Sequence, residues 1–512
     1  MIETAISARG LVSAPHRLAA QAGLRVLQDG GNAVEAMVAA AATITVVYPH
    51  MNALGGDNFW LIHDGDETHA IDACGAAAAA ATPAFYRDHG SDVIPGRGPL
   101  AALTAAGAIS GWQAALAISD DLGGRLPLGR LLEDAAWHAR NGFPVTRNLH
   151  GNVRDKLAEL IDVPGFAAQF TDGGAPPAPG SIMTMPRLAE TLERLAIAGL
   201  DDFYRGDIAR SIAKDLAAAG SPVALSDLER HRARLVEPLA TQAFGAKVLN
   251  MPPPTQGLAS LIILGVLDRL EAAAPESADY VHAIVEATKL AFRVRDSHVV
   301  DPDFMTVAPQ SFLEPAALDA MARQVDMAKA APWPQPAAPG DTVWLGAADA
   351  DGRVVSFIQS VYWEFGSGVV LPETGIVWQN RGASFSLDAA AKNVLAPGKR
   401  PFHTIQPAMA FFKDGRTMAY GTMGGEGQPQ TQAAVFTRYA AHGAPLQEAV
   451  TAPRWLLGRT WGAEKTNLRI ESRFLPEVIE TLVKRGHDVE VAGAFDEVMG
   501  HAGAVVRRPD GF

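Results

Sequence analysis

Between Arg17 and Asp29 apolar and polar residues alternate with a helical period, and Gly30-Gly31 stops the pattern. Asn32 is placed to cap the alanine-rich stretch that follows. The longest apolar run, Ala36 to Tyr48, predicts a buried helix in its first half. Its Thr-Ile-Thr-Val-Val second half predicts a switch toward β structure. Phe59-Trp-Leu-Ile-His63 reads as a strand entering a turn at Asp64-Gly-Asp66, with Thr68 to Ile71 returning. Further helices are predicted at Met185–Ala198, Asp207–Ala219, Gly257–Ala273 and Ser277–Val294. Met251-Pro-Pro-Pro254 excludes helix and central strand and predicts a rigid loop. Helical and β-like runs alternating in this way imply a layered α/β protein.

The sharpest change of pattern lies at Ala328 to Gly340, where four prolines exclude regular structure and favour an extended segment. Taken alone, that segment reads as a linker between domains. Two β-like runs follow, Thr342 to Ala348 and Val354 to Ser360, separated by the turn residues Asp349-Ala-Asp-Gly352. The pattern is a hairpin whose first strand begins with a threonine directly after an accessible loop.

Composition narrows the class. The chain has 512 residues, 48% hydrophobic and 19% charged, which is ordinary for a globular protein and leaves room for two to four domains by length. The net charge of −13 without any Lys/Arg-rich run argues against a nucleic-acid partner. The Ala36 to Tyr48 run, about 13 residues, is too short to span a bilayer, so no membrane partner is expected. One cysteine, Cys74, excludes an internal disulfide framework. The N-terminus lacks a basic region followed by an apolar one, and the expected location is cytoplasmic. No His-Glu-x-x-His, Cys-x-x-Cys or Gly-x-Gly-x-x-Gly motif is present, so neither a metal nor another cofactor is expected.

A threonine hydroxyl is a poor nucleophile without an adjacent base. When threonine is the first residue of a chain its own α-amine supplies that base, with an unperturbed pKa of about 7.7–8.0. Such a residue requires a cut in front of it, which here falls between Asp341 and Thr342. A plain structural threonine at a strand start is the competing reading.

Seven segments in order resemble the γ-glutamyltransferase family of N-terminal nucleophile hydrolases. They are Gly30-Gly-Asn-Ala-Val-Glu-Ala36, Tyr48-Pro-His-Met-Asn-Ala-Leu-Gly-Gly-Asp57, Met251-Pro-Pro-Pro254, Gly340-Asp-Thr-Val-Trp344, Phe365-Gly-Ser-Gly368, Gly398-Lys-Arg-Pro401 and Met423-Gly-Gly425. The resemblance implies an α+β fold, the four-layer αββα sandwich, self-processed into two interleaved subunits. A large subunit of 1–341, including the Pro-rich processing loop 328–341, and a small subunit of 342–512 would share one core, as a heterodimer or a dimer of heterodimers. The linker reading then gives way to a processing loop. Thr342 matches the family's nucleophile. Ser360 matches a hydroxyl residue beside it, and Gly424 and Gly425 match the pair whose N–H groups form an oxyanion hole.

The substrate-gripping end departs from the family pattern. Cys74, in Ile71-Asp-Ala-Cys-Gly75, stands where the family has an arginine for the glutamyl carboxylate. Ser384 stands at the acidic position, and the family's serine pair reads His403-Thr404. Arg381 is new relative to that pattern and is expected to grip a carboxylate with help from His403, Thr404 and Ser384; a surface arginine and a structural histidine are the competing readings. Tyr362, Trp363 and Glu364 replace small polar residues and are expected to narrow the pocket. Asn380-Arg-Gly-Ala-Ser-Phe-Ser-Leu-Asp388, Arg400-Pro-Phe-His-Thr404 and Tyr420-Gly-Thr-Met-Gly-Gly425 resemble the oxamate amidohydrolase branch. That branch releases ammonia from oxamate in purine-nitrogen salvage. The alternatives are a γ-glutamyl transpeptidase or hydrolase, a β-lactam side-chain acylase, and an unprocessed relative that only binds a small acid. The chain ends at Pro509-Asp-Gly-Phe512, short of the acidic tail usual among these relatives, which raises the expectation of a missing terminal strand.

Overall fold

The computed structural model describes residues 3–333, 341–458 and 466–511, with Asp341 described by its backbone alone. Two antiparallel sheets form its centre. The first contains β1 (Gly10–Ser13), β2 (Asp57–His63), β3 (Thr68–Ala73), β4 (Arg234–Val236), β7 (Asp341–Asp349) and β8 (Val354–Tyr362). Its spatial order is β1-β7-β8-β2-β3-β4. The second contains β5 (Leu239–Ala243), β6 (Ala246–Asn250), β9 (Ala408–Phe412), β10 (Thr417–Thr422) and β11 (Ala502–Arg507), in the order β11-β10-β9-β6-β5. The hairpin β7–β8 thus lies inside the first sheet, between β1 and β2.

Helices α1 (Arg17–Gln28), α2 (Ala33–Val47), α3 (Ala108–Asp121) and α4 (Leu128–Asn141) cover the outer face of the first sheet. Helices α5 (Gly257–Leu267) and α7 (Gly427–Ala440) cover the second, and α6 (Ala278–His298) packs on both of them. Three apolar clusters match the three interfaces of four layers. One lies under α2, one under α5, and one between the sheets around Phe59, Trp344, Ile358 and Met409. The expected αββα sandwich is therefore what the chain forms. Trp344 fills the space between the sheets because Gly421 and Gly503 face it; a Cβ at Gly421 would stand 2.1 Å from its ring.

Local signals account for several boundaries. Asn32 accepts hydrogen bonds from the Val34 and Glu35 N–H groups, and the Glu35 carboxylate accepts from the Asn32 N–H, a complete capping box. The expected switch to β structure within Ala36–Tyr48 does not occur, since α2 runs unbroken to Val47. All its residues are buried, so packing overrides the preference of Thr43, Ile44, Thr45 and Val46. The Thr43 and Thr45 hydroxyls donate to the carbonyls of Ala39 and Ala42, which satisfies them inside the layer. The helix predicted to reach Ala273 stops at Leu267, and the one predicted to end at Val294 continues to His298. Helices Pro186–Ala198 and Asp207–Ala219 lie where the periodicity places them. Among the described residues no helix is long and apolar enough to cross a membrane. Most of the proline-rich stretch, 334–340, lies outside the described residues.

Candidate functional site

Thr342 is the second residue of β7 and is fully buried. Val343 pairs with Gln359 and Asp341 with Tyr362, so Ser360 and Val361 of β8 stand opposite the single residue Thr342. This two-against-one bulge turns the end of β8 locally out of the ladder. On the other side of β8, Ser360 pairs with Asp57 of β2. Thr342, Ser360 and Asp57 therefore form a row across three adjacent strands. The Ser360 hydroxyl accepts from the Tyr362 N–H at 2.8 Å, which shapes the bulge. The Gln428 side-chain amide, in the first turn of α7, points its N–H at the Thr342 hydroxyl at 3.4 Å.

Between β10 and α7 the chain turns through Met423-Gly-Gly-Glu426. Gly424 and Gly425 both have positive φ, +116° and +53°. A Cβ on Gly424 would meet no atom closer than 3.6 Å. Glycine is needed there for the backbone conformation. The turn precedes a helix N-terminus, where free N–H groups and the helix dipole favour developing negative charge.

The residues expected to grip an acid lie on two stretches, Arg381–Ser384 and 403–404. Arg381 is 1% exposed, so the surface reading is excluded. Its guanidinium lies 3.8 Å from the centre of the Tyr362 ring and donates weakly to the Phe402 carbonyl at 3.4 Å. Burial lowers its pKa to about 10, which leaves it charged at neutral pH. Arg381 Nη2, Ser384 Oγ, Thr404 Oγ1, both ring nitrogens of His403 and Gln428 Oε1 are buried with no hydrogen-bond partner among the described residues. Unpaired buried polar groups are costly, and several of them on residues 381, 384, 403 and 404 suit a place where a small polar ligand is held. His403 is not a satisfied structural histidine. Burial, followed by the charges of Arg381 and Arg400, holds its pKa well below the usual value, so it is neutral.

Sequence reasoning missed Asp57. Its Oδ1 accepts from the N–H groups of Gly75 and Gly107, while Oδ2 lies 3.6 Å from His403 Nε2. Burial pushes its pKa up to about 7, against the lowering influence of the Gly75 amide and the Arg381 charge. Gln428 was missed as well. Asp57 closes one of the resembling segments and Gln428 follows Gly425 by three residues, which were the signals available. Cys74 is buried beside this group, and burial holds its thiol neutral. Of the three residues expected to narrow the pocket, Tyr362 does border Arg381. Trp363 instead packs against Gly96 and Arg97, and Glu364 faces Arg97 and Lys156 at 3.8 and 3.9 Å.

Among the described residues one trio, His282, Glu286 and His487, brings three potential metal ligands within 4.8 Å of one another. Its atoms have protein partners. The two imidazoles bond each other at 2.7 Å, and Glu286 accepts from Lys289 Nζ at 2.6 Å and the Ala331 N–H at 3.0 Å. The trio ties the 326–331 stretch to α6.

The arrangement thus pairs a buried threonine hydroxyl with an amide donor, a positive-φ turn at a helix start and a buried cation. A gamma-glutamyltranspeptidase family model matches residues 19–512. The oxamate amidohydrolase proenzyme of Klebsiella pneumoniae is 55% identical over 509 residues, 99% of this chain and 96% of that protein. The glutathione hydrolase-like YwrD proenzyme of Bacillus subtilis is 40% identical, covering 100% of this chain and 97% of that protein. The crystal structure of cephalosporin acylase from Bacillus halodurans superposes with a TM-score of 0.91 at 33% identity, over 99% of this chain and 94% of that one.

Proposed function

Because the chain belongs to the gamma-glutamyltranspeptidase family, a family of hydrolases, we propose that Thr342 becomes a chain terminus by self-cleavage after Asp341 and then hydrolyses oxamate to oxalate and ammonia. The observation that carries this reading is the set of unpartnered buried atoms on Arg381, Ser384, His403 and Thr404. One guanidinium, the Thr404 and Ser384 hydroxyls and the neutral His403 suit a single carboxylate beside one amide. The oxamate amidohydrolase proenzyme of Klebsiella pneumoniae supports the same substrate by its 55% identity.

In the proposed cycle the Thr342 α-amine takes the proton of its own hydroxyl, and the oxygen attacks the amide carbon. The Gly424 and Gly425 N–H groups receive the oxyanion, while Gln428 orients the nucleophile. Collapse breaks the C–N bond, and the proton held by the amine leaves with the nitrogen as ammonia. Water, deprotonated by the same amine, hydrolyses the oxalyl ester and regenerates Thr342. The large part, residues 1–341, and the small part, 342–512, stay together as a heterodimer.

Ammonia release from oxamate, glutamine and glutaryl amides tests the substrate. Turnover of oxamate is expected; turnover of a γ-glutamyl anilide with none of oxamate would rank the γ-glutamyl reading first. The likeness to cephalosporin acylase favours a β-lactam side-chain acylase as the second reading. Tyr362 stacked on Arg381 argues against it, because that contact leaves the cation room for a short acid. N-terminal sequencing of the smaller fragment tests the cleavage position.

A further inference from the structure

Gln256, at the start of α5, is fully buried and has every polar group engaged. Its backbone N–H donates to the His403 carbonyl at 2.9 Å. Its side-chain NH2 donates to two carbonyls, Thr404 at 2.7 Å and Gly425 at 2.8 Å. Thr404 belongs to the acid-gripping loop and Gly425 to the oxyanion turn. One amide therefore spans the two halves of the site, which are otherwise brought in by separate stretches of chain.

The orientation of that amide is fixed. Arg295 of α6 donates from Nη1 to Gln256 Oε1 at 3.1 Å and from Nη2 to Glu426 Oε1 at 2.7 Å. Arg295 is itself held by Asp296 at 2.7 Å and lies 3.8 Å from the Phe292 ring centre. Glu426 directly follows Gly425, so Gly425, Glu426, Arg295 and Gln256 close a ring of covalent and hydrogen bonds. A flipped amide would set Oε1 against two carbonyl oxygens and leave Arg295 facing a donor. Simple packing would be served as well by leucine or methionine; this set of partners requires a primary amide.

We propose that Gln256, locked by Arg295 and Glu426, is a positioning residue that sets the acid-gripping loop and the oxyanion turn at a fixed separation. This rests on the reading of the site as an amidohydrolase centre for a small acid. It touches no reacting atom and acts through Thr404 and Gly425.

Each half has its own probe in the self-processed protein. The acylation burst with 4-nitrophenyl acetate, which has no carboxylate, reports the nucleophile and oxyanion turn. The dissociation constant of oxalate reports the acid-gripping loop. In Gln256→Met both are expected to worsen by about tenfold or more, with the unfolding temperature within about 3 °C of wild type. Gln256→Glu has the same shape without the two donors and is expected to act the same way if the methionine variant does not fold. A change in only one probe, or in neither, overturns the coupling. So does a joint loss that tracks loss of folded protein. Wild-type protein that neither binds oxalate nor releases ammonia from oxamate overturns the substrate reading instead. The ester burst alone then decides the coupling, with an unchanged rate in both variants rejecting it and a tenfold fall supporting it.

Discussion

Asp57 Oδ2 lies 3.6 Å from His403 Nε2, and neither atom has a hydrogen-bond partner among the described residues. Burial pushes the carboxyl up to about 7, so it is protonated below that pH and ionised above it. Arg381, Cys74 and Tyr204 are the other titratable groups that feel this carboxyl, and His403 stays neutral throughout. Ionised Asp57 competes with a substrate carboxylate for the Arg381 charge, so KM is expected to rise as pH increases through about 7. An unperturbed chain-terminal amine loses its proton near pH 7.7–8.0, so on the proposed mechanism kcat is expected to rise over a similar range. Opposed trends place the maximum of kcat/KM between about pH 7 and 8. Asp57→Asn should flatten KM and leave the rise of kcat. A wild-type KM that is constant from pH 6 to 8 would reject this account.

Thr342→Ala is expected to give a single band of 54.0 kDa on a denaturing gel and to lower ammonia release by at least about a thousandfold. Serine at this position keeps both hydroxyl and amine and should retain partial cleavage. Two fragments from the alanine variant would show that the scissile bond lies elsewhere.

Arg381→Met removes the buried cation that lies over the Tyr362 ring. The KM for oxamate should rise about a hundredfold, the loss of a charge-assisted contact worth roughly 3 kcal/mol. Lysine keeps the charge without the planar fork and should fall between the two. Initial-rate kinetics on processed protein decide it, and an unchanged KM in the methionine variant would remove Arg381 from the site.

Gly424→Ala forces a side chain onto a backbone with φ +116°. The strain is about 1–3 kcal/mol, and a relaxed turn no longer aims its N–H groups at the oxyanion. A kcat loss of about a hundredfold with little change in KM is expected. Equal losses in oxalate affinity would point to general unfolding of the site.

Arg400 is buried between Asp72, at 2.8 Å, and Asp301, at 2.7 Å. Replacing it by methionine strands two buried carboxylates, at an expected cost of about 3–5 kcal/mol of stability. Chemical denaturation measures this directly, and a loss under about 1 kcal/mol would mean that the pair contributes little.

The nucleophile role proposed for Thr342 came from the ordered family segments, while the hairpin that Thr342 opens was legible because its signals are local, two β-like runs around a turn. Asn32 and its capping box were legible for the same reason. Asp57 and Gln428 were not, since they come into place only where β2 meets β8, about 300 residues apart in the chain, and where α7 meets β7, 86 residues apart. The burial of Arg381 was likewise invisible, because an Asn-Arg-Gly run reads as an exposed turn. The β-branched end of α2 misled for the converse reason: a local preference was overridden by complete burial.

The position of β7 and β8 between β1 and β2 sets an order of events during synthesis. β1 and β2 emerge some 280 to 330 residues before the strands that separate and join them. Until the hairpin from Asp341 to Tyr362 has been made and inserted, the first sheet has no centre, and Thr342 has neither Ser360 beside it nor the α7 turn in front of it. On the proposed reading, a cut in front of Thr342 therefore follows insertion of the hairpin. Cleavage there would serve as the chain's own inspection stamp, applied to molecules whose two sheets have already closed.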